Sequence, residues 1–236
     1  MASPGAVTDG DRGAAPYLRV KVCGITRPED ALAAEGAGVD AIGLIFAPGS
    51  KRRVSAERAA EVVAVLGPFV TRVGVFVDAD AAEVLDLVRA LRLDAVQLHG
   101  SETPEYARRL TSEVRVVRAL RFAPGLTPEG VATYPADAFL LDSPRPGSGV
   151  PFAWADAWAW RGFARLILAG GLDPSNVAQA VATLRPYAVD VASGVESRPG
   201  VKDGAAISAF VAAARGAADD RFPVGPWPTP GQWSDR

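Results

Sequence analysis

Short runs of nearly unbroken apolar residues recur along the chain and alternate with stretches of helical periodicity. The runs are Leu18–Val22, Ala41–Phe46, Arg72–Val77, Ala95–Leu98, Val114–Ala119, Ala138–Leu141, Leu166–Ala169 and Ala188–Val191. Segments such as Ile42-Gly43-Leu44-Ile45-Phe46 and Leu166-Ile167-Leu168-Ala169 have no polar face. Strands of that kind are buried on both sides, which is the pattern of a parallel sheet.

Helix signals fill the intervals. Thr26-Arg27-Pro28-Glu29 reads as a capping box opening a helix through about Glu35. Ser55 caps an Ala-rich stretch to Leu66, and Asp80–Leu91 follows a helical pattern. Thr103-Pro104 and Asp173-Pro174 each place proline at a helix start, the second ahead of Asn176–Leu184. Gly204–Ala218 is the last helix, and Pro128–Tyr134 and Ala153–Trp160 are weaker ones. Trp154, Trp158 and Trp160 are expected to cover the sheet.

This alternation predicts a single α/β domain, a (β/α)8 TIM barrel over residues 17–218. A doubly wound open sheet is the competing architecture. It would carry a Gly-rich fingerprint after the first strand, where this chain has Cys23-Gly24-Ile25-Thr26. Residues 1–16 and the Pro-rich residues 219–236 lack apolar periodicity and are expected to be flexible extensions.

Composition narrows the class. The chain has 236 residues, 49% of them hydrophobic, and a formal net charge of −2, so no nucleic-acid partner is expected. One cysteine and one histidine argue against a disulfide framework and a Cys/His zinc site. No apolar stretch reaches the length of a membrane span, and the first residues do not read as a signal peptide. The expectation is a soluble, cytoplasmic monomer with no membrane partner.

In a barrel the chemistry gathers where strands end. Those positions hold Cys23, then Lys51-Arg52-Arg53, Asp78, Gln97 and His99, Arg118 and Arg121, Asp142, Gly170-Gly171 and Ser193-Gly194. Glycine pairs after the last two strands suit phosphate, because the backbone can approach the anion there. Asp142 reads either as a turn aspartate or as a general acid. Cys23 is either a buried filler or a base, and the second role needs a cation or helix start nearby; Lys21 and the helix at Thr26 are candidates. Lys51-Arg52-Arg53 is a solvated loop or an anion clamp, and Asp78 more simply a turn residue.

These same residues resemble the phosphoribosylanthranilate isomerase family of tryptophan biosynthesis. The similar segments are Lys21-Val22-Cys23-Gly24-Ile25-Thr26, Gly43-Leu44-Ile45-Phe46 with Ser50-Lys51-Arg52, Arg72-Val73-Gly74-Val75-Phe76-Val77 and Val96-Gln97-Leu98-His99-Gly100. Leu140-Leu141-Asp142, Leu168-Ala169-Gly170-Gly171-Leu172, Val189–Glu196 and Pro199–Asp203 complete the set, in order over residues 19 to 215. The resemblance implies a (β/α)8 barrel that needs no cofactor and no metal. It implies a small-molecule phosphosugar substrate, N-(5′-phosphoribosyl)anthranilate, rearranged to 1-(2-carboxyphenylamino)-1-deoxyribulose 5-phosphate.

By the same resemblance Cys23 is the general base, Asp142 the general acid and Arg52 the binder of the anthranilate carboxylate. Gly170, Gly171, Ser193 and Gly194 fall in the phosphate-binding loops. From its position alone, His99 either lines the mouth as a substrate contact or simply caps the fourth strand. Gly147-Ser148-Gly149 corresponds to a flexible loop. Ala192 stands where the family often has Ser. The related isomerase of histidine synthesis, or an enzyme doing both reactions, resembles an Asp/Asp pair, and Cys23 argues against it. A non-catalytic phosphosugar binder would not need Cys23 and Asp142 together.

Overall fold

The computed structural model describes residues 17–144, 152–163 and 165–218. The two extensions and Gly147-Ser148-Gly149 lie outside these residues. Eight parallel strands close into a barrel in sequence order: β1 (Arg19–Cys23), β2 (Ala41–Ile45), β3 (Thr71–Phe76), β4 (Ala95–Leu98), β5 (Arg115–Arg121), β6 (Ala138–Asp142), β7 (Leu166–Leu168) and β8 (Ala188–Val191). β8 pairs with β1 in the register Lys21↔Asp190, which completes the ring. Seven helices connect the strands: α1 (Pro28–Gly36), α2 (Ala56–Ala64), α3 (Ala81–Leu91), α4 (Pro104–Leu110), α5 (Pro128–Val131), α6 (Val177–Leu184) and α7 (Gly204–Gly216). A 3₁₀ segment, Trp154–Trp160, stands between β6 and β7. Among the described residues no helix is long and apolar enough to cross a membrane.

Strand residues alternate between two cores, as the period of two requires. Val20, Val22, Val189 and Val191 pack outward into the large cluster under the helices. Val117, Ala119, Ala138, Leu140, Ile167, Ala169 and Ala188 form a separate cluster. Burying such side chains contributes roughly 25 cal/mol per Å² of apolar surface. Lys21 and Cys23, on the other face of β1 from Val20 and Val22, are buried without belonging to either cluster.

At the N-terminal mouth one local device recurs. Asp40, Asp94 and Asp137 each immediately precede an alanine that starts β2, β4 or β6. Each carboxylate accepts a backbone N–H from the preceding strand: Val20 at 2.8 Å, Arg72 at 2.8 Å and Val116 at 2.9 Å. Each aspartate N–H donates back to the carbonyl of that same residue. The equivalent position before β8 is Tyr187. Ala41, Ala95, Ala138 and Ala188 leave space here, and a cavity of about 610 Å³ opens at this end with Phe69 at its edge.

Several expected details differ. The capping box does not form: the α1 N-cap is Arg27, without a side-chain cap, and Thr26 Oγ1 donates to the Gly200 carbonyl at 2.5 Å instead. Ser55, Asp80 and Thr103 do cap their helices. α6 starts at Val177, because Asp173 folds back to take the N–H groups of Ser175 and Asn176. Of the three tryptophans, Trp160 is fully buried while Trp158 is 60% exposed. An antiparallel hairpin, β9 (Glu196–Arg198) with β10 (Val201–Lys202), follows β8 and has no apolar run to announce it.

Candidate active site

Cys23 is the last residue of β1 and is 6% exposed. Beside it in the ring, Gly43 of β2 has no room for a side chain. A Cβ there would lie 2.6 Å from Cys23 Sγ and 3.1 Å from Lys21 Nζ. Lys21 forms an ion pair with Asp190 at 2.9 Å and acts electrostatically on the thiol. Burial pushes the Cys23 thiol up, the strongest influence on it; Lys21 and, more weakly, Lys202 act to lower it. The net direction is upward, so the cations moderate the burial without cancelling it. Asp190 carries a carboxyl raised by burial against the pull of Lys21.

Asp142 ends β6 and is 7% exposed. Its Oδ1 accepts the Ser143 N–H at 2.7 Å. Oδ2 lies 3.3 Å from His99 Nε2. Gly170 lets the β7 turn pass close by, since a Cβ at that residue would stand 3.0 Å from Asp142 Oδ1. Gly170 and Gly171 both have φ in the left-handed region, at 85° and 72°, where a side chain would be strained. Ser193 and Gly194 belong to a 3₁₀ turn after β8. That turn packs on the β7 loop: a Cβ on Gly194 would collide with the Leu172 carbonyl. The two glycine-bearing loops are thus one continuous backbone surface.

Arg52 reaches over Gly24, whose Cβ would come within 2.5 Å of Arg52 Cδ and whose φ is 74°. Its guanidinium holds Glu196 with two hydrogen bonds, Nε to Oε1 at 2.7 Å and Nη2 to Oε2 at 2.8 Å. Lys202 joins them, donating to Glu196 Oε1 at 2.9 Å and to the Ala192 carbonyl at 2.8 Å. Burial alone would raise the Glu196 carboxyl, but Arg52 and Lys202 together hold it below the usual carboxylate range. Burial lowers Lys202. The hairpin β9–β10, which follows β8, therefore anchors the arginine over the end of β1.

The other strand-end residues have different duties. Asp78 adopts φ 48° and accepts the Ser101 N–H at 2.6 Å, which ties two loops together. Arg118 pairs with the buried Glu102 at 2.5 Å and stacks on Tyr134. Arg121 is exposed. Sequence reasoning did not single out Asp190, Glu196, Lys202 or Gly43. The signal for Asp190 was available, as a lone acid inside the apolar run Ala188–Val191 facing the Lys21 position.

A family model for N-(5′-phosphoribosyl)anthranilate (PRA) isomerase matches residues 20–213. The chain belongs to this family. A relative named N-(5′-phosphoribosyl)anthranilate isomerase, from Geobacter sulfurreducens, is 47% identical over 203 residues, covering 84% of this chain and 99% of its own. A crystal structure of phosphoribosyl anthranilate isomerase in complex with reduced 1-(o-carboxyphenylamino)-1-deoxyribulose 5-phosphate is 41% identical. Its TM-score is 0.78, over 85% of this chain and 100% of that one. A Thermotoga maritima structure, described as monomers generated from the dimeric enzyme, is 40% identical, with a TM-score of 0.75 over 85% and 100% of the two chains.

Proposed function

We propose that this isomerase converts N-(5′-phosphoribosyl)anthranilate into 1-(2-carboxyphenylamino)-1-deoxyribulose 5-phosphate, a step of L-tryptophan biosynthesis, with Cys23 as general base and Asp142 as general acid. The observation that carries the assignment is their placement. Each is the buried last residue of its strand, β1 or β6, and the two glycine-bearing loops occupy the strands between them. A phosphate held by the backbone at Gly170, Gly171, Ser193 and Gly194 would set the ribose between acid and base. The anthranilate carboxylate would then meet Arg52, which reaches over the end of β1 from the loop after β2.

The proton inventory closes without a further reactant. Asp142 protonates the furanose oxygen O4′ as the C1′–O4′ bond breaks and the aniline nitrogen forms an iminium. The Cys23 thiolate takes the C2′ proton, which leaves an enolamine. The thiol then protonates C1′ while the Asp142 carboxylate accepts the 2′-hydroxyl proton, giving the ketone and restoring both groups. General acid and base groups of this kind each contribute about 10²- to 10⁴-fold.

The test follows the loss of phosphoribosylanthranilate fluorescence. Cys23→Ala and Asp142→Asn should each lower kcat by orders of magnitude while product affinity survives. Near-normal turnover by Cys23→Ala would remove the base assignment. A cytoplasmic location goes with this reading and is checked by cell fractionation. A monomer is the state proposed for solution, in contrast to the dimeric relative. Phe69, 94% exposed, is the apolar side chain that a second copy would cover, and sedimentation velocity decides.

A further inference from the structure

His99 is the chain's single histidine and stands one residue beyond β4. Its ring bridges two buried groups. Nδ1 lies 3.1 Å from Gln97 Nε2, and Nε2 lies 3.3 Å from Asp142 Oδ2. Gln97 is 2% exposed and shares β4 with the strand end that carries the histidine. Two buried polar atoms of this short chain of contacts lack a hydrogen-bond partner: His99 Nε2, off the line of a bond to Oδ2, and Gln97 Oε1. Such orphans are uncommon in folded proteins and call for an explanation.

A moving proton supplies one. When the Gln97 amide nitrogen donates to Nδ1, the imidazole proton sits on Nε2 and faces the Asp142 carboxylate. When the amide turns over, Oε1 accepts a proton from Nδ1. The Nε2 lone pair then faces a protonated Asp142, or Nε2 keeps its own proton and the ring is an imidazolium. The heavy atoms barely move between these states, because amide nitrogen and oxygen exchange by a half-turn. Each state leaves a different amide atom unpaired, so one of the two orphans, the one on the Gln97 amide, is present in either state.

We infer that His99 is the proton-holding partner of Asp142: the acid of ring opening is a His99–Asp142 pair whose proton the Gln97 amide follows. This rests on Asp142 being the acid. In the ring-opening step the Asp142 O–H bond breaks and its proton goes to O4′, while the imidazole keeps its own proton on Nδ1, facing the Gln97 amide. The proton returns to Asp142 from the 2′-hydroxyl during ketonisation. The surrounding charges are Asp190 from β8, within electrostatic reach of both members, and Arg118 from β5, bound to Glu102 and the Gly100 carbonyl. Asp78 and Glu102 grip the loop after His99, and Arg121 sits beside Asp142 in the sheet. Among the described residues none of these hydrogen-bonds the imidazole.

Because the histidine is unique, its two ring nitrogens can be read in the full-length, ¹⁵N-histidine-labelled enzyme without assignment. The ¹⁵N shifts should change tautomer or protonation state between the wild type and Asp142→Asn. His99→Asn should lower kcat about 10- to 100-fold with KM little changed. It should also move the alkaline limb of the kcat–pH profile to lower pH, and Gln97→Leu should move the same limb with a smaller loss. Unchanged imidazole shifts in Asp142→Asn, or a wild-type pH profile in Gln97→Leu or His99→Asn, would overturn the pairing. If Asp142→Asn itself retains turnover, the acid assignment falls instead, so the two failures are distinct.

Discussion

Lys21 and Asp190 face each other across the closing seam of the barrel, at 2.9 Å, on the same face of β1 as Cys23. The pair has opposite effects on the thiol. Lys21 lowers it and Asp190 raises it, within a site where burial is the larger influence.

Opposite substitutions should therefore move Cys23 in opposite directions. Lys21→Met shifts the onset of thiol alkylation to higher pH, and Asp190→Asn shifts it to lower pH. Cys23 is the only cysteine, so the rate of reaction with iodoacetamide across pH reads it directly. Stranding one partner of a buried ion pair costs about 3–5 kcal/mol, so Lys21→Met should also melt earlier. Movement of both variants in the same direction would contradict this account.

Gly43→Ala should be nearly inactive while remaining folded. Its new methyl group would sit 2.6 Å from Cys23 Sγ and 3.1 Å from Lys21 Nζ. The sulfur must move, and a displacement of about 1 Å at a reacting group costs roughly 10²-fold. Steady-state kinetics and a far-UV spectrum together test this; full activity would mean that the thiol position is not critical.

Arg52→Ala should act mainly on KM, because the guanidinium is assigned to the ground-state carboxylate. Glu196→Gln should raise KM as well, by weakening the fork that aims Arg52. An effect confined to kcat in both variants would point to a role in the chemical step instead.

The same Glu196 predicts an acid-sensitive element. Its carboxyl is held below the usual range in the folded state, so its contribution to stability is complete above the unfolded carboxylate pKa. That contribution disappears as pH falls through the depressed folded value. Denaturant midpoints measured from pH 6 downward should fall less steeply in Glu196→Gln than in the wild type.

At the far end of the barrel, Asp137→Ala should cost stability without touching chemistry. It removes the acceptor for the Val116 N–H at 2.9 Å and for Arg115 at 2.7 Å. An unsatisfied buried N–H costs about 1–3 kcal/mol. Chemical denaturation should show the loss, and kcat should stay at the wild-type value.

The barrel was legible because eight short, largely apolar runs alternate with helical stretches and no Gly-rich fingerprint follows the first of them. Strand ends drifted by about one residue, as for Cys23 and Asp142, which fall inside their strands, because pairing with a neighbour decides where a strand stops. The Arg52–Glu196–Lys202 group was not legible as a unit. Arg52 lies 144 residues before Glu196 in the chain, and Glu196 and Lys202 sit on a hairpin that carries no apolar signature. His99 was visible as a strand-end residue, but its contact with Asp142 depends on β5 pairing with both β4 and β6, which sets their ends two strands apart. Trp158 was expected to cover the sheet and instead lies exposed, since a 3₁₀ turn presents successive residues to different sides.

The three aspartate clamps fasten β1 to β2, β3 to β4 and β5 to β6, all at the mouth farthest from Cys23 and Asp142. The barrel is thus sewn as two-strand modules along one rim, and its reactive loops hang from the other. Loops can be lengthened, exchanged or rewritten there without undoing a single stitch. The last module, β7–β8, has Tyr187 in place of the clamp, and it bears the two glycine loops proposed to hold the phosphate.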